Sequence, residues 1–158
     1  GFTIIFVTHD QSEAMAISDR MMVCDMGNIM QVDTPTNLYN HPCNRFVHSF
    51  LGQSTFLHAV LEHGKAYAKG DMEHPLPVTV PEGVDREVVI ATRPNAVDLN
   101  RDHGYETTIF SRIFLTDSTE YEVTFAVGEK CFVDLKHVMW YPEGDFDEEA
   151  ERVRRQLV

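Results

Sequence analysis

The chain has 158 residues, 43% of them apolar, and a formal net charge of −12. That is enough apolar material for one folded domain or two small ones, and too much for a disordered chain. The negative field works against nonspecific affinity for phosphate backbones or anionic headgroups, and no stretch approaches the ~20 consecutive apolar residues of a membrane-spanning helix.

Residues 3–7 form an unbroken β-branched and aromatic run, the pattern of a strand buried on both faces. A central parallel strand needs neighbours on each side, and none is encoded here, so the chain reads as a fragment. Asp10 stands three residues before Glu13, a capping-box spacing that predicts a helix with Ala14 and Ile17 as its apolar stripe. His9 therefore sits where a strand gives way to a helix. Ligands of open α/β sheets bind outside the carboxyl ends of the strands, so a ring nitrogen at this point is placed to meet a phosphate. On position alone, a capping or packing role is the commoner reading of such a histidine.

A second apolar run over 21–26, the turn pair Gly27-Asn28 and a returning run over 29–32 predict a hairpin, with Met21, Met22, Met26 and Met30 as adaptable core filling. Thr34-Pro35 is a helix start, and His41-Pro42 terminates the helix after Tyr39. A second helix follows, capped by Asn44, with Phe46, Val47, Phe50 and Leu51 on its apolar face and Gly52 at its end.

These residues carry a resemblance. Val7-Thr8-His9-Asp10-Gln11-Ser12-Glu13-Ala14-Met15-Ala16-Ile17-Ser18-Asp19-Arg20, followed by Met21-Met22-Val23-Cys24-Asp25-Met26-Gly27-Asn28-Ile29, resembles the end of the ATPase domain in ABC transporter ATP-binding subunits. The resemblance implies that His9 is the switch-loop histidine, which contacts the γ-phosphate of ATP. Pro35, Leu38-Tyr39, Pro42, Arg45-Phe46-Val47 and Phe50-Leu51-Gly52 resemble the connector of importers for sugars, polyamines, ferric iron and sulfate. Asp33 stands where that family usually has glycine, and Asn37 where it usually has glutamate.

After Gly52 the pattern changes to short β-prone runs over 55–61, 66–68, 78–80, 87–92, 107–115, 120–127 and 130–135. Turn pairs such as His63-Gly64 and Gly128-Glu129 separate them. With no long helix between them, they predict a small barrel or sandwich. Thr92-Arg93-Pro94-Asn95-Ala96-Val97-Asp98-Leu99 resembles the Arg-Pro signature of the family's transport-associated OB-type domain, with Asn95 where an acid is usual. An arginine so placed more often braces an inter-strand turn than binds a ligand. The aromatics Phe110, Phe114, Tyr121, Phe132, Trp140 and Tyr141 are surrounded by acids, the wrong charge for a nucleic-acid platform, and suit core packing and a domain-domain contact. The tail runs from acids to arginines, with i, i+4 pairs Glu148/Arg152 and Glu151/Arg155, which predicts a solvated helix.

Cys24, Cys43 and Cys131 are odd in number and lack a CxxC pair, so a reduced set is expected rather than a disulfide framework. His41, His48, His58, His63 and His74 make no HxH or HxxxH pair near a cysteine, and no metal site is expected. The sequence contains no G-x-x-x-x-G-K-[ST] loop, no apolar strand ending in Asp-Glu and no Leu-Ser-Gly-Gly. ATP chemistry needs such groups to hold phosphate and Mg²⁺. The chain alone is therefore expected neither to bind ATP tightly nor to hydrolyse it.

The resulting expectation is an α/β remnant, the end of a P-loop ATPase domain, followed by a mainly β OB-like small barrel. The expected divisions are 1–52, 53–143 and an acidic helix over 144–158. The resemblance implies an importer ATPase subunit that uses ATP and Mg²⁺ only in its full-length form. It also implies membrane subunits and a second ATPase subunit as partners, a homodimer, and a cytoplasmic, peripheral place on the inner membrane face. Nucleic acid and direct membrane insertion are not expected. The alternative is a stand-alone β module for a small anion or regulator, for which Arg93, Arg112 and Lys130 are the candidate ligand residues.

Overall fold

The computed structural model describes residues 1–100, 102–114, 119–124 and 129–144, and divides into two compact units, the first formed around Gly1–Ser54 and the second Thr55–Glu143. In the first unit, α1 (Gln11–Ile17) begins at Asp10, whose side chain accepts from the Glu13 N–H at 2.9 Å. Only half of the expected capping box forms. The Asp10 N–H donates to Thr8 Oγ1 at 3.0 Å instead of to Glu13.

β1 (Met21–Asp25) and β2 (Asn28–Asp33) form an antiparallel hairpin. The turn is Met26-Gly27, one residue earlier than expected, with φ of 46° and 84°. Positive φ at both positions is the type I′ form of a two-residue hairpin loop, and Asn28 is taken into the strand opposite Asp25. Alternation divides the methionines: Met21 and Met30 pack inward, whereas Met22 and Met26 are exposed.

α2 (Pro35–Asn40) and α3 (Arg45–Phe50) supply the rest of this core. Thr34 Oγ1 accepts from Asn37 N–H and Asn44 Oδ1 from Val47 N–H, each cap worth about 1 kcal/mol. Leu38, Val47 and Leu51 close on Val23, with Met21, Met30, Tyr39 and Phe46 around them. Gln31 fixes the link between the helices. Its Nε2 donates to the His41 carbonyl and its Oε1 accepts from Cys43 N–H.

The expected buried strand over 3–7 is not formed. Ile4, Ile5 and Val7 are exposed, and no described strand pairs with the segment. A run of β-branched residues specifies a strand only where neighbours take up its backbone groups. The α/β part of the expected fold is thus represented by α1 without a parallel strand beside it. Ile17 is likewise exposed rather than part of a covered stripe.

The second unit is β throughout. β3 (Thr55–Glu62), β4 (Lys65–Ala68), β5 (Glu87–Thr92) and β10 (Met139–Pro142) form a sheet in the order β10-β5-β3-β4. β6 (Val97–Asn100), β7 (Tyr105–Phe114), β8 (Thr119–Thr124) and β9 (Glu129–Leu135) form another, in the order β6-β9-β7-β8. All described neighbours are antiparallel. The core draws on both sheets: Ala59, Ala66, Ala68, Val88 and Ile90 from the first, Tyr105 and Val133 from the second, with Leu76 between strands. Such a mainly β architecture of small antiparallel sheets agrees with the β-rich expectation for this half.

The run over 78–80 is not a strand. Pro77 and Pro81 flank it and cannot donate to a ladder, and Val78 N–H folds back onto the Leu76 carbonyl at 2.8 Å. Its apolar side chains still pack on the core. The acidic helix expected over 144–158 lies, Gly144 apart, outside the described residues.

Candidate functional site

His9 occupies a bend directly before α1 and is exposed. Three local interactions shape its surroundings: Thr8 Oγ1 accepts from Asp10 N–H, Asp10 Oδ1 from Glu13 N–H, and the Asp10 carbonyl from Ala14 N–H. The backbone on the C-terminal side of the ring is therefore fixed by the helix start, and the imidazole is reachable from solvent. A reachable ring N–H can donate to an anionic oxygen. One side chain cannot cradle a triphosphate, which needs several converging donors.

The three basic candidates of the β unit stand on different elements. Arg93 is 8% exposed, at the end of β5, and its carbonyl closes the following 3₁₀ turn (Pro94–Ala96) by accepting from Ala96 N–H. Lys130 lies on β9 in the other sheet, exposed and paired with Glu106 at 2.5 Å. Arg112 lies on β7 opposite Tyr121, its side chain outside the described residues. Among the described residues no group of three or more His, Cys, Asp or Glu side chains is gathered for a metal ion.

Polar clusters not anticipated from sequence stand elsewhere in this unit. Asp71 accepts from Tyr105 Oη at 2.6 Å, from the N–H groups of Glu73 and His74, and from His74 Nδ1. Donation from Tyr105 leads these in lowering the Asp71 carboxyl to about 2, while burial first, and then Asp71, pushes the phenol up. Glu143 Oε1 is met by His58 Nδ1 at 2.8 Å and Lys69 Nζ at 3.4 Å. His103 pairs with Asp102 at 2.8 Å and faces Asp134 at 3.6 Å, and donation to Asp102 raises its pKa. Asp134 also accepts from Asn100 Nδ2 at 2.8 Å. Asp102–His103 and Asp71–His74 are local in sequence, but the bonds that join Tyr105 to Asp71, His58 and Lys69 to Glu143, and Asn100 to Asp134 span 34 residues or more, so spacing gives no sign of those.

No protein-family model matches the chain. Curated proteins do. The spermidine/putrescine import ATP-binding protein of Pseudomonas fluorescens is 34% identical over 141 residues, 84% of this chain and 38% of that protein. The Fe(3+) ions import ATP-binding protein of Brucella suis is 34% identical over 140 residues, 85% of this chain and 39% of that protein. The sulfate/thiosulfate import ATP-binding protein of Rhizobium meliloti is 38% identical over 99 residues, 63% of this chain and 28% of that protein. The chain thus spans less than two fifths of each of these relatives. The three differ in the solute their names carry and agree in the ATP-binding subunit, and it is to the family of ABC importer ATP-binding subunits that this chain belongs.

Proposed function

We propose that the chain is the C-terminal portion of an importer's ATP-binding subunit. In this reading residues 1–52 end the ATPase domain and form its connector, 53–143 are the transport-associated OB-type domain, and 144–158 an acidic tail. His9 is the switch-loop histidine, donating a hydrogen bond to the γ-phosphate of ATP in the full subunit. The observation that carries the reading is the placement of His9, exposed in the bend directly before a helix capped by Asp10. ATP and Mg²⁺ would be held by upstream groups of the longer polypeptide and by a second subunit. Solute uptake would follow through membrane subunits on the cytoplasmic side. Among the described residues no helix is long and apolar enough to cross a membrane.

Two measurements test this reading. An antibody raised against the chain should detect a native product well above 18.1 kDa. In that longer product His9→Ala should lower ATP turnover by about 100-fold or more, in the range of losing a positioned proton-transfer or charge-stabilising group. A native band at 18.1 kDa would overturn the assignment, and so would undiminished turnover in the variant. The isolated chain should show no saturable micromolar ATP isotherm.

A further inference from the structure

The His9 ring is exposed, so its direction is set by the backbone that carries it. One side-chain bond spans that backbone. Asp10 N–H donates to Thr8 Oγ1 at 3.0 Å, and the loop this bond closes contains both soft dihedrals of His9, φ and ψ. Threonine suits the position because its branched Cβ restricts χ1, which holds the hydroxyl at a defined angle to its own backbone. On the other side Asp10 is fixed by α1, its Oδ1 accepting from Glu13 N–H at 2.9 Å and its carbonyl from Ala14 N–H at 3.1 Å. His9 is thus bracketed between the Thr8 hydroxyl and a capped helix. All these bonds lie between Thr8 and Ala14, so they need no neighbouring strand, unlike the run over 3–7. The Thr8 bond is not itself the cap. Asp10 makes the cap, and Glu13, which takes the Asp10 N–H in a full capping box, is exposed three residues on.

We propose, resting on the assignment of His9 as the γ-phosphate contact, that Thr8 is a positioning residue whose hydroxyl holds the His9 backbone so that the imidazole N–H is aimed at the phosphate oxygen. Thr8 itself does not touch the nucleotide. It acts through the pose of its neighbour, and a displacement of about 1 Å at a reacting group costs up to about 10²-fold in rate. A single hydrogen bond of this kind shifts a local equilibrium by roughly three- to tenfold, so loss of the hydroxyl should lower turnover by roughly that factor, less than loss of the ring. The KM for ATP should stay within about twofold, because the groups that hold most of the triphosphate lie elsewhere in the full subunit.

The test compares Thr8→Val, Thr8→Ser, His9→Ala and the double variant Thr8→Val/His9→Ala in the longer native product. Valine keeps the branched shape and removes the acceptor, whereas serine keeps the acceptor. Thr8→Val should slow ATP turnover roughly three- to tenfold with KM little changed, and Thr8→Ser should restore it. The double variant should be no slower than His9→Ala alone, since the hydroxyl then has nothing to aim. Undiminished turnover in Thr8→Val, no rescue by serine, or a further loss of the same size in the double variant overturns the role of Thr8, while a slow His9→Ala leaves that of His9 standing. Undiminished turnover in His9→Ala removes both. In the 158-residue chain itself, NMR reads the bracket without nucleotide: the His9 HN–Hα coupling, which follows φ, should change in Thr8→Val and not in Thr8→Ser, while the Cα shifts of α1 stay helical. An unchanged coupling refutes the bracket, and loss of the α1 shifts in Thr8→Val makes Thr8 a helix-start residue and overturns the positioning role.

Discussion

Replacing Tyr105 by Phe removes one hydroxyl from the polar cluster around Asp71. Tyr105 is 5% exposed and donates to Asp71 Oδ2 at 2.6 Å, while the carboxylate keeps its bonds from Glu73 N–H, His74 N–H and His74 Nδ1. A hydrogen bond to a charged group is worth about 1.5–3 kcal/mol. The Asp71 side chain is 28% exposed, and solvent takes up part of the lost bond, so the expected cost at neutral pH is about 1–2 kcal/mol. The pH dependence has a definite sign. The Asp71 carboxyl is lowered in the folded state to about 2 from an ordinary 3.8, so its contribution is full above the ordinary value and is lost as pH falls toward 2. The penalty of Tyr105→Phe should therefore shrink between pH 4 and pH 2, roughly the interval over which the carboxylate is lost. The chain's single tryptophan, Trp140, packs against the core of the same unit, so urea unfolding followed by its fluorescence reports on this unit. A variant within about 0.3 kcal/mol of wild type at pH 7, or a penalty unchanged at low pH, would refute the account.

Gly104→Ala should destabilise the β unit by at least about 2 kcal/mol in the same assay, because a side chain is added at a left-handed backbone position. The residue has φ +103°, and a Cβ would lie 2.7 Å from the Val133 carbonyl oxygen and 2.9 Å from Asp134 Oδ1. Leu38→Ala opens a cavity in the core of the first unit, where Leu38 is fully buried, at a cost of about 2–5 kcal/mol. It should appear as faster amide exchange over α2 and α3; unchanged exchange would mean that Leu38 is not the anchor of that core.

What could be read from the sequence was what is decided locally. The helix starts at Thr34-Pro35 and Asn44 are each made by one side chain and an N–H three residues on, so the residues themselves state the element. His63-Gly64 marks the β3–β4 turn for the same reason: both residues have left-handed φ, 52° and 74°. β6 and β10 were not anticipated. They are four residues long, contain Asp98, Asn100 and Pro142, and exist by pairing with β9 and β5. The same limit applies to the clusters of polar side chains. Tyr105 and Asp71 are 34 residues apart, and His58 and Glu143 are 85 apart, so only the completed sheets bring them together. His9 stands out in the sequence as the junction of an apolar run and a capped helix; the helix and its Asp10 cap are local and form, whereas the strand over 3–7, which needs neighbours, does not.

The two departures from the importer pattern in the connector also belong to one local arrangement. Asp33 and Asn37 are four residues apart, and Asn37 Nδ2 donates to Asp33 Oδ1 at 3.1 Å while Thr34 N–H donates to the same oxygen at 2.7 Å. The Thr34 N–H first, and Asn37 second, hold the Asp33 carboxyl below its ordinary range. Glutamate at 37, the usual residue, would set a second carboxylate against Asp33, whereas asparagine offers it a donor. The acid at 33 and the amide at 37 are therefore one adjustment rather than two. It leaves the Thr34 cap and the buried Leu38 in place, so its effect lies in how α2 begins. The change is confined to a helix start, and relatives named for spermidine/putrescine, Fe(3+) and sulfate/thiosulfate match this chain at 34%, 34% and 38% identity.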